Sequence, residues 1–593
     1  MSEGQVTLLS TIISQLNQSV DRFDGSLIAA DLIREQFSHA FKRYPYEARL
    51  KLSYIRHLVQ TNKKRELEAT VDDCMTLYPN NNWIVLQSVE SLIAVRSYNV
   101  FAILSKFYSV TEIVDERRWI LVFNSLRGLF NTTGSYIEYL KSLLTNKSND
   151  FYLCSKLGQL YYIQHDYDLS LDALVRASHY RFLRSSSLII LSESALFLGS
   201  DKQKIALKML ISANKRAAKL ELFHHICLFS ILTQQVDESI SIFLSDYHYH
   251  LSSWEVLHWF NRLPFDITQG LKIFSSLEEY HDQHKQTLDW RWHYHYSIAL
   301  MLQSRIAEAS LVLRSLRSSR SDVSELQSIL HSLCNRLKIN IPSICQPVDW
   351  KSDFNPNFID SCSDVIVLFS GWTGALGYLS DFTVTNYFHR LGFNVLILRD
   401  PTLKFFSEGI APSQFSTDSV TDLNHYLLSR TSGGIYFIGD SISALAAIHH
   451  ASLIPTDVKV IAFSPVLSKS DYSSLGINHF DDNIQPRSDK DLQAQTRGHQ
   501  SLIRIEATRN LYPHTIKLLR NSKKNNLHVV YSELNTTDSL VAEYLEKEAQ
   551  ATLHCKTKSH AHVISNEFVA TDNFNLLLKR IKNPVSNASR FKY

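Results

Sequence analysis

The sequence predicts an all-helical region over residues 1–340 and a doubly wound, mostly parallel α/β domain over residues 363–593. Before about residue 340, apolar residues recur at helical spacing and glycine and proline are sparse. Residues 341–362 are rich in proline, lack periodicity and are predicted to form a linker. Beyond them, short apolar runs rich in β-branched residues alternate with helical stretches. This pattern is typical of a parallel sheet covered by helices on both faces.

Composition limits the class of protein. A chain of 593 residues is too long for one hydrophobic core, and 45% hydrophobic with 20% charged residues is typical of globular proteins. The formal charge of +3 gives no reason to expect nucleic acid or a membrane surface as a partner. Seven dispersed cysteines, no signal-peptide pattern and no apolar run of ~18 residues predict a cytoplasmic protein without a transmembrane segment.

The helical region contains a repeat. Tyr44-Pro45 and Tyr78-Pro79 lie 34 residues apart, and residues 149–182 contain a glycine, Gly158, that would let two helices approach closely. Tyr167 and Ala177 would fill the groove beside the second helix of that pair. The region resembles a divergent tetratricopeptide-repeat array, which implies a protein partner; the alternative is an irregular helical domain.

Five apolar runs in the second domain are predicted strands, at 364–371, 394–400, 434–441, 459–465 and 527–533. Ligand sites in parallel sheets lie beyond the carboxyl ends of the strands. We therefore expect the functional site in this domain, at those ends.

Ser441 stands where one of these strands turns into a helix, in the stretch "YFIGDSISALAAI". A nucleophile on such a corner needs small neighbours, and Gly439 precedes it by two residues. The motif typical of a nucleophile elbow is G-x-S-x-G, whereas this chain has Ser443 at the last position. An ordinary strand-to-helix turn is the alternative interpretation.

An acid and a histidine follow in the order that a catalytic triad requires. Asp538 comes after the strand at 527–533, and His560 and His562 come after a further short strand. Asp538 could instead be a first-turn helix acid, in which case Glu533 is the next candidate. We prefer His562 to His560 as the base.

This order and the G-x-S corner resemble the α/β hydrolases. The resemblance implies that Ser441 is the nucleophile and that the backbone N–H of Ile442 binds the oxyanion together with that of Trp372 or Thr373. Trp372 lies in a glycine-rich turn after the first apolar strand, and the alternative is that these glycines only make a loop. The H-x-H pair has no further ligand at metal spacing beside it, so we expect no metal. No P-loop or dinucleotide fingerprint occurs, so we expect no cofactor.

"LILRDPTLKFFSEGIAP" places Arg399 and Asp400 at another strand end. The pattern is similar to serine-hydrolase-like proteins of bacterial surface-polysaccharide loci, which implies that both residues contact a glycan or acyl-carrier substrate. The alternative is an Arg–Asp ion pair that braces the sheet.

Two functional hypotheses follow. The first is a serine hydrolase or acyltransferase that acts on an ester or acyl group, with a role in glycan or surface-polysaccharide metabolism. The second is an interaction scaffold of helical repeats that carries an inactive hydrolase-like domain, which the imperfect elbow motif would favour.

Overall fold

The computed structural model describes residues 3–108, 115–146, 150–314, 316, 321–337, 348–416, 418–467, 512, 526–556, 564–583 and 590–593. The chain divides into two compact units, Met1–Leu198 and Gly199–Tyr593. The later helices of the helical region therefore belong to the same compact unit as the sheet.

The first unit is helical throughout its described residues. One short 3-10 turn, Arg127–Leu129, follows the seventh helix. The helices are α1 (Glu3–Asp21), α2 (Leu27–Arg43), α3 (Ala48–Gln60), α4 (Lys64–Leu77), α5 (Asn82–Ala94), α6 (Asn99–Phe107), α7 (Glu116–Leu126), α8 (Thr133–Asn146), α9 (Phe151–Ile163), α10 (Tyr167–Tyr180) and α11 (Ser185–Leu196).

The 34-residue repeat corresponds to helix ends. Tyr44 and Tyr78 are the C-cap residues of α2 and α4, and each donates its backbone N–H to the carbonyl four residues before it. A proline follows each tyrosine, and proline cannot continue a helix. The hydroxyl of Tyr78 also donates to the carbonyl of Tyr46, so equivalent corners of successive hairpins are joined.

The hairpin of α9 and α10 confirms the predicted close approach. A Cβ atom added to Gly158 would lie 2.5 Å from Leu174 Cγ, and the Gly158 carbonyl accepts a hydrogen bond from Ser170 Oγ at 2.8 Å. Tyr167 stacks on Phe197 with ring centroids 4.1 Å apart. These contacts are those of tetratricopeptide-like helical hairpins.

The second unit begins with further helices and one 3-10 turn, Tyr247–His250. The helices are α12 (Ser200–Asn214), α13 (Leu220–Leu232), α14 (Val236–Asp246), α15 (Trp254–Phe260), α16 (Ile267–His284), α17 (Trp290–Leu302), α18 (Ile306–Arg314) and α19 (Ser321–Leu337). Among the described helices of both units, none combines the length and the hydropathy needed to cross a bilayer.

An eight-stranded sheet follows, in the order β1-β3-β2-β4-β5-β6-β7-β8. Its neighbouring strands are parallel except β1, which is antiparallel to β3. The strands are β1 (Phe354–Asn357), β2 (Val365–Phe369), β3 (Asn394–Leu398), β4 (Ile435–Asp440), β5 (Val458–Phe463), β6 (Asn526–Ser532), β7 (Thr552–Lys556) and β8 (Arg590–Lys592).

Helices cover both faces of the sheet, as predicted. One face packs against α21, α22 and α23 in a single apolar cluster. On the other face, Phe574 of α25 contacts Phe388 of α20 and Phe463 of β5, with ring centroids 5.2 and 5.0 Å apart. The helices are α20 (Asp381–Arg390), α21 (Ser419–Arg430), α22 (Ile442–Leu453), α23 (Thr536–Ala549), α24 (Ser565–Ala570) and α25 (Asn573–Lys582).

The sheet begins earlier than the boundary expected at residue 363. Strand β1 lies within the segment 341–362 that was predicted to be a linker, of which residues 341–347 are outside the described residues. Pro356 pairs with Leu396 in this strand. Proline lacks an N–H donor and is tolerated on an edge strand, so a proline-rich stretch can still belong to the sheet.

Candidate active site

The corner between β4 and α22 holds Ser441 in a strained backbone conformation. Its φ is 59° and its ψ is −119°. Non-glycine residues held in sparsely populated backbone regions cost about 1–3 kcal/mol each and cluster at functional sites. The strain is maintained by hydrogen bonds on both sides: Ser441 N donates to the Phe463 carbonyl at 2.8 Å, and the Ser441 carbonyl accepts from Val466 N at 3.2 Å.

Gly439 is required by this turn. A Cβ atom at this position would lie 2.3 Å from the carbonyl oxygen of Ser443. That contact is with backbone, which cannot move aside without unwinding the first turn of α22. Any side chain at residue 439 would therefore force the corner to open.

Ser443, the departure from G-x-S-x-G, is built into the same turn. Its side chain is buried, and Oγ accepts the backbone N–H of Asp440 at 3.0 Å and donates to the Asp440 carbonyl at 2.9 Å. The hydroxyl thus joins the end of β4 to the start of α22. The departure from the motif is accommodated by two hydrogen bonds that glycine could not make.

The two predicted oxyanion donors lie on adjacent strand ends. Phe369 of β2 pairs with Gly439 of β4 in a parallel register, which brings the turn after β2 beside the corner. A Cβ atom added to Gly371 would lie 3.7 Å from the Asp440 carbonyl oxygen. Trp372 follows Gly371, and Ile442 is the first residue of α22. Neither N–H donates to another described residue.

Arg399 fixes the turn that carries Trp372. The guanidinium is fully buried: Nε donates to the Gly374 carbonyl at 2.8 Å, Nη1 donates to the Ser352 carbonyl at 2.9 Å, and Nη2 pairs with Asp381. The ion pair considered from the sequence therefore exists, but with a carboxylate 18 residues away in the chain and not with Asp400. All of these partners of the guanidinium belong to the protein itself, and the predicted contact of Arg399 with substrate stays a prediction.

Replacing Arg399 by methionine is expected to lower the free energy of unfolding by about 3–5 kcal/mol, because two carbonyls lose their donor and Asp381 loses its cation. Urea unfolding followed by circular dichroism measures this change. The exposed Arg430 is the control, and Arg430→Met should change stability by less than ~0.5 kcal/mol. Unchanged stability together with lost substrate affinity would instead assign Arg399 to substrate binding.

Asp400 caps the loop that follows β3. Its carboxylate accepts hydrogen bonds from Thr402 N at 2.9 Å, Thr402 Oγ1 at 2.6 Å and Phe406 N at 2.9 Å. The loop contains non-glycine residues with positive φ, among them Phe405 and Phe406. The carboxylate therefore holds an irregular loop in shape, and its predicted contact with substrate stays a prediction.

Asp538 lies where the triad acid was predicted. It follows β6 in the first turn of α23, the residue is 3% exposed, and its backbone N–H donates to Asn535 Oδ1 at 3.2 Å. Glu533, the other candidate, is 43% exposed and lies 3.9 Å from Lys592. Of the two acids, Asp538 has the buried environment in which a carboxylate can orient a histidine.

The predicted bases His560 and His562 lie outside the described residues, which stop at Lys556 and resume at Ile564. Lys556 and Glu567, which are described on either side of this segment, form an ion pair of 2.8 Å. The hydroxyl of Ser565 donates to the carboxylate of Asp440, the residue before Ser441. Ser565 therefore lies beside the corner that carries Ser441.

Two other histidines of the sheet have structural partners. His528 Nδ1 lies 3.1 Å from His554 Nε2, and His554 Nδ1 lies 3.2 Å from the hydroxyl of Tyr593. Desolvation lowers the pKa of His528 to about 4 and that of His554 to about 2. Both rings are therefore neutral at pH 7 and are used in packing.

Two residues that contact the candidate site, Asn566 and Ser565, were not predicted from the sequence. Asn566 accepts the backbone N–H of Tyr378 at 2.9 Å, next to the turn that carries Trp372, and Ser565 binds Asp440. The sequence contained one signal for Ser565: Asp440 places a carboxylate at the end of an apolar strand, and a buried carboxylate needs a hydrogen-bond donor nearby. Among the described residues, no three His, Cys, Asp or Glu side chains are grouped closely enough to hold a metal ion.

Comparisons with known proteins add little about this site. No model of a protein family matches the chain, and no curated protein matches it. Twenty-nine chains of solved structures match. One is the tetratricopeptide-repeat domain of P58(IPK), a crystal structure at 2.5 Å, which is 10% identical, covers 56% of this chain and 99% of its own, and has a TM-score of 0.17. So low a similarity carries no argument about function.

Proposed function

We propose that the sheet domain is a serine-dependent hydrolase or acyltransferase that acts on an ester or acyl group. The observation that carries the proposal is the backbone of Ser441, with φ 59° and ψ −119° at a strand-to-helix corner. An ordinary turn has no need of this strain, whereas a nucleophile gains from it because the hydroxyl is raised above the sheet.

The roles of the other residues follow from their positions. Ser441 Oγ attacks the carbonyl carbon, and its proton passes to His562 or His560. The N–H groups of Ile442 and Trp372 stabilise the oxyanion. Collapse of the tetrahedral intermediate expels the alcohol, which takes the proton from the imidazole. Water or an acceptor hydroxyl then attacks the acyl-enzyme, with the histidine again removing the proton. Collapse of this second intermediate breaks the bond to Ser441 Oγ, which takes the proton back from the imidazole, while Asp538 orients the ring throughout.

The order of these groups also supports the proposal. Along the chain, Ser441 follows β4, Asp538 follows β6, and His560 and His562 come after β7, which is the order of serine, acid and histidine in α/β hydrolases. The hydroxyl of Ser443 fastens the turn, which supports an intact elbow in spite of the departure from G-x-S-x-G.

A fluorophosphonate probe tests the proposal without knowledge of the substrate. Such a probe labels a serine only when that serine is activated as a nucleophile, so we expect the folded protein to be labelled on the peptide that contains Ser441. Heat-denatured protein is the control and should remain unlabelled. Failure of the folded protein to react would favour the interaction scaffold over the enzyme.

A further inference from the structure

Helix α24 joins the two parts of the candidate active site that carry the proposed oxyanion donors. One part is the corner between β4 and α22, where α22 begins with Ile442, and the other is the turn at 371–378, which contains Trp372. The first two residues of α24, Ser565 and Asn566, are buried, and each contacts one of these parts. The start of α24 therefore lies where it can set the distance between the two donors.

Ser565 makes the contact with the corner. Its hydroxyl donates to the carboxylate of Asp440, a buried residue two positions before Ile442. Asp440 is also tied to the first turn of α22, because its backbone N–H and its carbonyl both bond to the hydroxyl of Ser443. A displacement of α24 would therefore reach the start of α22 through a buried, charge-assisted hydrogen bond.

Asn566 makes the contact with the turn. Its Oδ1 accepts the backbone N–H of Tyr378 at 2.9 Å. The preceding residue, Gly377, has a φ of +61°, and a Cβ atom there would lie 2.4 Å from Asn566 Oδ1 and 2.8 Å from Ser565 Oγ. Glycine allows this close approach because it has no side chain. The backbone of the turn is therefore packed directly on the two buried side chains of α24.

Hydrogen bonds within the turn connect this contact to Trp372. The hydroxyl of Thr373 donates to the Gly377 carbonyl. The backbone N–H of Gly371 donates to the Ala375 carbonyl at 3.1 Å. These two bonds begin on the residues that flank Trp372, so a shift of the turn at Gly377 would move the N–H of Trp372 with it.

We propose that Ser565 and Asn566 are positioning residues, which hold the N–H groups of Ile442 and Trp372 at the separation that a developing oxyanion requires. This role rests on the proposed hydrolase or acyltransferase function, and both residues act through the backbone of other residues. Oxyanion stabilisation depends on donors that are in place before the reaction begins. A misplacement of about 1 Å in an active site can cost about 100-fold in rate, so two donors on separate elements need a common support.

Asn566→Leu tests this role, because leucine is similar in shape to asparagine but cannot accept the Tyr378 N–H. We expect kcat/KM for p-nitrophenyl butyrate to fall by about 10- to 100-fold. The inhibition constant of propyl trifluoromethyl ketone, which forms a tetrahedral oxyanion adduct with an activated serine, should rise by the same factor. A merely structural role would reduce the amount of active protein but would leave the inhibition constant unchanged.

Asn424→Leu is the matched control. Asn424 is also buried, and its Oδ1 accepts the hydroxyl of Thr456 at 2.5 Å. Thr456 precedes β5, so this bond lies toward the opposite edge of the sheet from the corner. We expect the control to have a lower melting temperature, because a buried hydrogen bond is lost, while kcat/KM and the inhibition constant stay within about 2-fold of the parent values.

Ser565→Ala is a second variant that keeps the test decisive if Asn566→Leu does not fold. It removes the donor to Asp440 and should show the same parallel change in kcat/KM and in the inhibition constant. If the parent protein is labelled by fluorophosphonate and hydrolyses the ester, but neither variant raises the inhibition constant, the positioning role is overturned and the proposed function stands. A parent protein that neither reacts with the probe nor hydrolyses the ester overturns both.

Discussion

Replacing Ser441 by alanine is expected to abolish fluorophosphonate labelling and to reduce ester hydrolysis by about 10⁴-fold or more. The proposed acyl-enzyme forms on the Ser441 hydroxyl, since the other hydroxyl of this turn, that of Ser443, is buried and bonded to Asp440. The reaction is followed with a chromogenic ester such as p-nitrophenyl butyrate. Alanine can keep the backbone of the corner, because the bonds to Phe463 and Val466 are made by main-chain atoms.

Ser452→Ala is the matched control for this substitution. Ser452 lies on α22, like the corner, but in the last turn, where its hydroxyl donates to the His449 carbonyl at 2.6 Å. We expect this variant to keep its labelling and its rate. Hydrolysis by Ser441→Ala at the parent rate, with an unchanged melting temperature, would show that another group attacks the ester.

Asp538→Asn is expected to reduce turnover by about 10⁴-fold while Ser441 stays in place. An amide presents an N–H where the carboxylate accepts one, so the imidazole is held in the wrong tautomer and its cation is no longer stabilised. The helix should form normally, since the Asp538 backbone N–H still donates to Asn535. The rate with p-nitrophenyl butyrate and the melting temperature are measured together.

Glu533→Gln is the control for the acid. Its side chain is exposed, so the loss of its charge should alter the rate by less than about 2-fold and the stability by less than ~0.5 kcal/mol. If Glu533→Gln is inactive and Asp538→Asn is active, the roles of the two acids are exchanged. If neither variant loses activity, a triad with a carboxylate after β6 is wrong.

The parts of the fold that could be predicted depend on local signals. Each of these signals lies within a short stretch of sequence: the helical periodicity, the tyrosine-proline pairs and the apolar runs of the parallel strands. The strand-to-helix corner at Ser441 could also be predicted from neighbouring residues, because Gly439 and the small residues after it lie within one turn.

The parts that could not be predicted depend on residues far apart in the chain. Arg399 pairs with Asp381 and not with its neighbour Asp400, and Ser565 reaches Asp440 from 125 residues away. Strand β1, with the sequence FNPN, has too few apolar residues to be recognised. Register and tertiary pairing decide these contacts, and a single sequence carries no direct record of either.

The two strands at the margins of the sheet, β1 and β8, are only four and three residues long. Unpaired N–H and C=O groups on the outermost strands of a sheet can template association with another chain. Short outer strands offer few such groups, and Pro356 removes one donor from β1 altogether. As described, these two outer strands therefore offer little capacity to add a strand from a second molecule to the sheet.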